Sequence, residues 1–292
     1  MPKVSVIIPA YNRKGFIENA VRSVLAQTYP DFEIIIVDDA STDGTLELVT
    51  HLAQDDPRIH FQQHKSNLGA QAARNTGIRA SRGKWIAFLD SDDLWLPESL
   101  ALRLQLALKT GVQVVHSACY ILKAPGSELE HFLVPPMQGS VYKDLLEAPG
   151  PMFQSLLVSK QALINIGYLD NTIVSYQEWD TSIMLARHYD FAYLSQPTFI
   201  YDCRHNATIS KDSARAAAGY EQVFMKHQWS ILRHLGPKAL SSHYRMAAGF
   251  YYEANSSSKA RSCLRTACLL WPFNLKMAFN RVRHLRKSEV ER

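Results

Sequence analysis

Residues 85–93 read Trp85-Ile86-Ala87-Phe88-Leu89-Asp90-Ser91-Asp92-Asp93, and this stretch decides how the whole chain is interpreted. Its first part is an apolar run, which predicts a buried strand. Its last four residues include three carboxylates, and their mutual repulsion is costly unless something offsets it. A divalent cation is one candidate, because Mg²⁺ and Mn²⁺ prefer carboxylates together with phosphate oxygens. The alternative is a solvated turn, in which Asp92 or Asp93 caps the helix near Pro97.

Before residue 85, strand and helix patterns alternate along the chain. The apolar runs that predict strands are 4–9, 33–37 and 58–62, and helical spacing is found in 15–27, 46–52 and 67–78. This alternation is the signature of an α/β fold with a doubly wound, mostly parallel, Rossmann-like sheet. Ligands bind such sheets beyond the carboxyl ends of the strands. Three of these ends carry polar residues, at 9–12, 38–39 and 90–92, so the sequence predicts a site at that edge.

The chain beyond residue 93 gives weaker signals. We expect helices at 98–109 and 177–187, strands at 112–122, 153–158, 191–194 and 198–201, and an irregular segment at 124–150 that could cover the site. From about residue 214 onward the pattern predicts helices only. We therefore place a domain boundary near residue 212, with a helical C-terminal region at 213–292.

The bulk composition fits a globular protein with a sizeable core. The chain has 292 residues, of which 47% are hydrophobic and 20% charged, enough for a large α/β domain with an appendage. We find no apolar run of the roughly 18–20 residues that span a membrane and no signal-peptide pattern. The four cysteines form no C-x-x-C pair, which favours buried thiols in a reducing compartment. We expect a cytoplasmic protein.

Positive charge is concentrated at the end of the chain. Residues 259–292 carry nine Lys or Arg against two Glu, whereas residues 1–258 have a net charge of −2. Basic helices of this kind could face anionic lipid at the inner side of a cytoplasmic membrane, and the alternative is a solvated basic face. The spacing at 244–272 also resembles one tetratricopeptide repeat, but a single repeat cannot bury its own core.

Five motifs at characteristic spacing carry a resemblance to a known family. They are Val4-Ser5-Val6-Ile7-Ile8-Pro9-Ala10-Tyr11-Asn12, Ile36-Val37-Asp38-Asp39-Ala40-Ser41-Thr42-Asp43-Gly44, Asn67-Leu68-Gly69 with Ala73-Arg74-Asn75-Thr76-Gly77, Phe88-Leu89-Asp90-Ser91-Asp92-Asp93, and Gln177-Glu178-Trp179-Asp180. Over residues 3–210 the chain resembles the family 2 glycosyltransferases of the GT-A fold. The resemblance implies an inverting transfer of a sugar from a nucleotide-diphosphate donor. It also implies that residues 1–212 form the glycosyltransferase domain, with a nucleotide-binding half at 1–95 and an acceptor-binding half at 96–212.

The resemblance assigns the nucleotide base to the ends of the first two strands. Pro9, Ala10 and Tyr11 would contact the base, and Asp39 would accept a hydrogen bond from its edge. A carboxylate that accepts from a ring N–H suits uracil, so the expected donor is a UDP-sugar. Asp38 is expected either to contact the donor or to orient the loop.

The diphosphate and a divalent cation are assigned to the acidic stretch. By the same resemblance, Asp90 and Ser91 would bind the donor, and Asp92 would ligate Mn²⁺ or Mg²⁺, with Asp90 and His205 as further candidate ligands. A bound cation would neutralise charge on the departing diphosphate. Arg74 suits diphosphate oxygens, and its alternative is an ion pair on a helix surface.

An inverting transfer also needs a base that deprotonates the acceptor hydroxyl. The family's acidic pair at a helix start corresponds to Gln177-Glu178 here, so the base falls on Glu178, one methylene longer than the usual Asp. Asp180 is the reserve candidate, and Trp179 is a candidate wall for a sugar ring. The alternative role for Glu178 is to complement the helix dipole.

The chain departs from the family pattern at two positions. Met184 and Cys203 stand where an arginine is often found, and Arg187 or Arg204 could substitute. The leading hypothesis is an enzyme that extends a cell-surface polysaccharide or lipopolysaccharide, acting on a glycan or lipid-linked acceptor and binding no nucleic acid. A non-catalytic nucleotide-sugar binding or scaffold protein is the alternative. A nucleotidyltransferase is disfavoured, because no Gly-rich basic loop follows the first strand.

Overall fold

The computed structural model describes residues 2–124, 126–132, 134–204 and 212–272. Within these ranges the chain forms two compact units. The described part of the first comprises 2–124, 126–132, 134–145, 149–172 and 177–204, and that of the second comprises 146–148, 173–176 and 212–272. No helix among the described residues is long and apolar enough to cross a membrane.

All strands among the described residues belong to the first unit. They are β1 Val4–Ala10, β2 Phe32–Asp38, β3 Ile59–Gln63, β4 Trp85–Phe88, β5 Leu94–Trp95, β6 Val114–Leu122, β7 Glu130–Phe132, β8 Leu157–Ser159 and β9 Phe191–Asp202.

Helices flank the sheet and make up most of the second unit. They are α1 Ile17–Leu25, α2 Thr45–Asp55, α3 Ala70–Ala80, α4 Ser99–Thr110, α5 Tyr142–Glu147, α6 Lys160–Asn165, α7 Gln177–Ala186, α8 Ser213–Lys226, α9 Gln228–Leu235, α10 Pro237–Glu253 and α11 Ser257–Leu270.

The described strands form one mixed sheet in the order β3-β2-β1-β4-β8-β6-β9-β5, with β7 added beside β6. The neighbours β3-β2, β2-β1 and β1-β4 are parallel, as the sequence predicts. Every residue of β1, β2 and β4 is buried, which explains why these strands appear in the sequence as mostly apolar runs. In the second half, β8 runs antiparallel to both β4 and β6.

The segment expected to be one strand at 153–158 is different in the structure. Phe153–Ser155 form a 3-10 turn, and β8 begins only at Leu157. The cause lies far along the chain, because the guanidinium of Arg103 donates to the carbonyl oxygens of Gln154 and Leu156 at 3.1 Å each. A buried side chain thus takes the carbonyls that a continuous strand would give to a neighbour.

Two further expectations are corrected. The two short strands expected at 191–194 and 198–201 are the single strand β9, which stays paired to β6 across register shifts. The pairing shifts near Pro197, which has no N–H to donate to a ladder. The segment 124–150, expected to be irregular, contains β7 and α5.

Helix α3 lies directly on β1 because one of its residues has no side chain. A Cβ built on Gly77 would lie 2.6 Å from Cγ2 of Ile7, closer than real carbon contacts allow. This close approach brings Arg74, one turn earlier in α3, into the interior beside the sheet, where its side chain is only 5% exposed.

The second unit has its own core of aromatic and polar side chains. Tyr220 of α8 and His243 of α10 share a hydrogen bond of 2.9 Å, and the other ring nitrogen of His243 bonds to the carbonyl of Leu146 at 2.9 Å. The rings of Phe224 and His243 stack with centroids 5.6 Å apart. Burial lowers the pKa of His243, so the core holds a neutral imidazole.

Candidate active site

The three polar strand ends lie at one edge of the sheet, as predicted. In the parallel register Ala10 pairs with Asp38, and Ile7 pairs with Phe88, two residues before Asp90. Because β1 is the central strand of the three, its end at Pro9 and Ala10 lies between the two acidic stretches. Tyr11 follows with its side chain 44% exposed, so its ring is available to a ligand at this edge.

Asp39 is a buried carboxylate that already holds a loop. Its Oδ1 accepts from His64 Nδ1 at 2.7 Å and from the Leu68 N–H at 2.9 Å, and its Oδ2 accepts from the Gly69 N–H at 2.7 Å. An ionised carboxylate can accept about four hydrogen bonds. The three bonds to Asp39 therefore leave room for about one more, such as one from an N–H of a nucleotide base. Asp39 thus orients the loop at 68–69, a role that the sequence offered only for Asp38.

Asp38 and His64 add two features to this corner. Asp38 accepts from the Ser41 N–H at 3.2 Å through Oδ2, while its buried Oδ1 has no hydrogen-bond partner among the described residues. The second ring nitrogen of His64 bonds to Thr76 Oγ1 at 2.9 Å, so the imidazole is fixed at both ends. Sequence reasoning missed His64, because a single histidine in a short segment carries no spacing signal.

Asp90 is the centre of a network that joins four elements. Its Oδ1 accepts from Arg74 Nη2 at 2.6 Å, and its Oδ2 accepts from Gln154 Nε2 at 2.8 Å. Arg74 Nη1 also reaches Gln177 Oε1 at 3.4 Å, and the guanidinium lies over the Phe153 ring at 4.4 Å. Arg74 therefore connects the acidic strand end to the first residue of α7 from a buried position.

The other acidic residues of this stretch have different surroundings. Asp92 is partly exposed, with its side chain 19% accessible, and its Oδ2 lies 3.9 Å from Arg13 Nε. Ser91 and Asp93 are buried. Asp93 accepts from the Asp202 N–H at 2.9 Å and from Gln154 Nε2 at 2.5 Å. Burial raises the pKa of Asp93 well above its ordinary value, and the charges of Asp90 and Asp92 add to the rise.

Helix α7 presents two acidic residues in its first turn, and they differ in exposure. Glu178 is partly buried, whereas Asp180 is 2% exposed. Burial raises the pKa of Glu178; the positive charge of Arg74 opposes this rise and the negative charge of Asp90 adds to it. A carboxylate with a raised pKa is a better proton acceptor at neutral pH. Glu178 and Asp90 are thus close enough to influence each other electrostatically.

Trp179 is not a wall for a sugar ring, and that expectation is wrong. Its side chain is fully buried, and its Nε1 donates to the carbonyl of Leu145 at 2.6 Å. The ring belongs to the packing that fixes the start of α7. Its position explains how Glu178, the preceding residue, is held at the helix start.

The two arginines proposed as substitutes contact other side chains. Arg204 forms an ion pair with Asp202, and its Nε donates to both carboxylate oxygens, at 2.8 and 3.0 Å. The Arg187 guanidinium lies 6.0 Å from the centroid of the Tyr142 ring. His205, the further candidate metal ligand, lies outside the described residues.

The carboxylates suit a cation that is shared with a phosphate. Within the described ranges, no group of three or more His, Cys, Asp or Glu side chains converges in the geometry of a metal cage. Mg²⁺-type sites commonly use one or two carboxylates and complete their shell with waters and substrate phosphates. Asp92, partly exposed beside Asp90, fits that arrangement, and a self-sufficient protein cage does not.

Solved structures with a similar backbone show which fold the chain has. TarS of S. aureus, residues 1–349 with UDP-GlcNAc, superposes with a TM-score of 0.63 at 16% identity over 90% of this chain and 91% of that one. The mannosyltransferase PcManGT of Pyrobaculum calidifontis, with GDP-Man and Mn²⁺, gives 0.60 at 18% identity over 93% and 88% of the two chains. The mixed sheet with flanking helices and a C-terminal helical region is therefore a GT-A fold.

The sequence match identifies the family. The model of glycosyl transferase family 2 matches residues 5–154, and the chain belongs to this family. A relative is the putative teichuronic acid biosynthesis glycosyltransferase TuaG of Bacillus subtilis, 38% identical over 146 residues. That match covers 50% of this chain and 58% of TuaG, so the chain spans little more than half the length of this relative.

Proposed function

We propose that this chain is an inverting glycosyltransferase that moves a sugar from a nucleotide-diphosphate donor to a hydroxyl of a glycan or lipid-linked acceptor. The proposed donor is a UDP-sugar. The observation that carries the proposal is the buried Arg74. It bonds to Asp90 at the strand end and to Gln177 beside Glu178. The Arg74 guanidinium thus links Asp90, a proposed donor-binding residue, to the start of α7, where the candidate base lies.

The proposed donor site lies in residues 1–95 of a glycosyltransferase domain at 1–212. Pro9, Ala10 and Tyr11 would contact the base, and the remaining acceptor position of Asp39 would take one N–H from its edge. The bonds from His64 and from the backbone N–H groups of residues 68–69 fix the Asp39 carboxylate. Discrimination between nucleotide bases at Asp39 would depend on these bonds. The TarS structure that contains UDP-GlcNAc supports a UDP-sugar as the first donor to test.

The proposed chemistry needs a carboxylate on each side of the sugar. Glu178 would accept the proton of the acceptor hydroxyl while that oxygen attacks the anomeric carbon, and the bond to the diphosphate breaks on the opposite face. Asp90, Ser91 and Asp92 would hold the diphosphate side, with Asp92 as the cation ligand and Asp90 as a further candidate ligand. A divalent cation, Mn²⁺ or Mg²⁺, would supply charge neutralisation to the leaving group when bound. The Mn²⁺ in the PcManGT structure supports this cofactor.

The reaction type can be tested with purified protein and a panel of nucleotide sugars in Mn²⁺. We expect slow release of the nucleoside diphosphate from one donor, because water can replace the acceptor in such sites, and faster release when acceptor glycans are added. Binding of a donor with no release under either condition would support the non-catalytic alternative. Release of pyrophosphate from a nucleoside triphosphate would support a nucleotidyltransferase.

We also propose that the second unit contacts anionic lipid, through its helix α11. Residues 257–270 contain no acidic residue, and Lys259, Arg261 and Arg265 are exposed on this helix, with Leu269 85% exposed near its end. Basic side chains next to an exposed apolar one are typical of surfaces that lie on membranes. Such a contact would bring the enzyme to a lipid-linked acceptor in cell-surface polysaccharide synthesis. The name of TuaG, which refers to teichuronic acid biosynthesis, supports this setting.

Reversing two of these charges should weaken vesicle binding. Each basic residue near an anionic membrane contributes about 1 kcal/mol, so Arg261→Glu with Arg265→Glu should lower binding to phosphatidylglycerol vesicles by about 10-fold or more at low salt. The measurement is co-sedimentation across a lipid titration. The matched control is Lys84→Glu with Lys109→Glu, an equal charge change at exposed positions of the first unit. Equal binding by all three proteins would contradict a lipid contact at α11.

A further inference from the structure

Gln154 forms a bridge between two of the acidic residues. Its amide nitrogen donates to Asp90 Oδ2 at 2.8 Å and to Asp93 Oδ2 at 2.5 Å. Gln154 is 5% exposed and Asp93 is 1% exposed, so the contact to Asp93 is shielded from water. Both N–H groups of one amide are thereby used to hold two carboxylates that would otherwise repel each other.

The backbone of Gln154 is held as firmly as its side chain. Its carbonyl oxygen accepts from Arg103 Nη1 at 3.1 Å and from Trp95 Nε1 at 3.3 Å. Arg103 is fully buried, and its guanidinium lies over the Trp95 ring at 4.5 Å. The 3-10 turn at 153–155 is therefore fixed by a buried cation, which leaves the amide of Gln154 little freedom to move away from the carboxylates.

The chemical type of this side chain has a consequence for charge. A lysine or arginine at 154 would cancel a carboxylate charge and compete with a cation for Asp90. Another carboxylate would add to the repulsion. A neutral amide holds one oxygen of Asp90 and one of Asp93 without adding positive charge to that of Arg74, which already pairs with Asp90. It therefore competes less than a lysine or arginine would with a divalent cation at the acidic stretch.

We propose that Gln154 is a positioning residue that fixes Asp90 and Asp93, so that the Mn²⁺-dependent binding of a nucleotide donor depends on it. The inference rests on the proposed function, since it assumes that Asp90 and Asp92 meet the donor and its cation. Gln154 reaches Asp90 on the oxygen that Arg74 does not use. The two side chains together therefore set the orientation of that carboxylate.

Gln154→Met tests the inference, because methionine has a similar length and no hydrogen-bond donor. UDP affinity is measured by calorimetry at a series of Mn²⁺ concentrations, with a thermal melt of each protein. Loss of a hydrogen-bond partner behind a metal ligand typically costs 10–100-fold in metal affinity. We expect the Mn²⁺ concentration that gives half-maximal UDP binding to rise by about 10-fold or more.

Two further variants make the result decisive. Gln161→Leu removes an exposed glutamine of α6 that bonds to Asn165 and should leave the Mn²⁺ midpoint unchanged. If Gln154→Met does not fold, Gln154→Asn keeps an amide but draws it back by one methylene, and it should show the same rise. If either folded Gln154 variant needs the same Mn²⁺ concentration as the wild type for half-maximal UDP binding, the inference is wrong, and the proposed function is unaffected. If the UDP affinity of the wild type does not depend on Mn²⁺, both the proposed cation site and the inference are wrong.

Discussion

Replacing Glu178 with glutamine is expected to lower turnover by about 10²–10⁴-fold, the usual cost of losing a general base. Glutamine has the size of glutamate and keeps its hydrogen bonding, but it cannot take the proton of the acceptor hydroxyl. Donor affinity should barely change, because the proposed role of Glu178 is toward the acceptor. Turnover with saturating donor, together with donor affinity from calorimetry, separates the two effects.

The pH profile gives an independent reading of the same residue. Burial raises the pKa of Glu178, and a general base must be ionised to act. The rate should therefore fall as the pH drops through this raised pKa, and it should level off above it. In Glu178→Gln the residual rate should no longer fall at low pH in this way. If Glu178 only complements the helix dipole, the substitution should leave the pH profile unchanged.

Three variants distinguish Glu178 from its alternatives. Glu47→Gln is the matched control, because Glu47 is an exposed acid in the first turn of α2 and should have no effect. Glu178→Asp should retain part of the activity, since aspartate is the family's usual residue at this position. Asp180 is buried, so Asp180→Asn must be judged beside its thermal melt. Normal turnover in Glu178→Gln, with a folded and inactive Asp180→Asn, would move the base to Asp180.

The first half of the fold could be predicted because its signals are local. Strands of a parallel sheet are buried on both faces and appear as apolar runs, and their carboxyl ends necessarily meet at one edge. The convergence of residues 9–12, 38–39 and 90–92 followed from that rule alone. The α/β class, the GT-A fold and family 2 membership are confirmed, while the domain boundary at 212 and the roles of the site residues stay predictions.

The second half depends on contacts that no local pattern records. The turn at 153–155 is set by Arg103, which lies 51 residues before Gln154 in sequence. Trp179 looked like a ligand contact because it follows Glu178, but burial assigns its ring to the core. The same limit applies to side chains in both halves, because His64 and Gln154 act through hydrogen bonds to carboxylates 25 and 61 or more residues away. Sequence spacing identified the acidic residues, and only the structure showed which side chains hold them.

Replacing Asp92 with alanine is expected to remove the Mn²⁺ dependence of donor binding and to lower turnover by about 10²-fold or more, as for other losses of charge stabilisation at a reacting centre. Asp92 is partly exposed, and its ion pair with Arg13 is long at 3.9 Å. Alanine at this position should therefore leave the fold intact. Arg74 and Gln154 would still hold Asp90 in place, so the expected loss is that of a cation ligand.

The measurement pairs UDP titrations in Mn²⁺ and in excess EDTA for the wild type, Asp92→Ala and the control Asp55→Ala. Asp55 is an exposed acid at the end of α2, and its removal matches the charge change. The wild type and the control should lose affinity in EDTA, whereas Asp92→Ala should be weak in both conditions. Full turnover of metal-free wild type in EDTA would contradict the cation. A melting temperature that falls sharply in Asp92→Ala would instead assign the residue a structural role, because a ligand on a partly exposed turn contributes little to folding when no metal is bound.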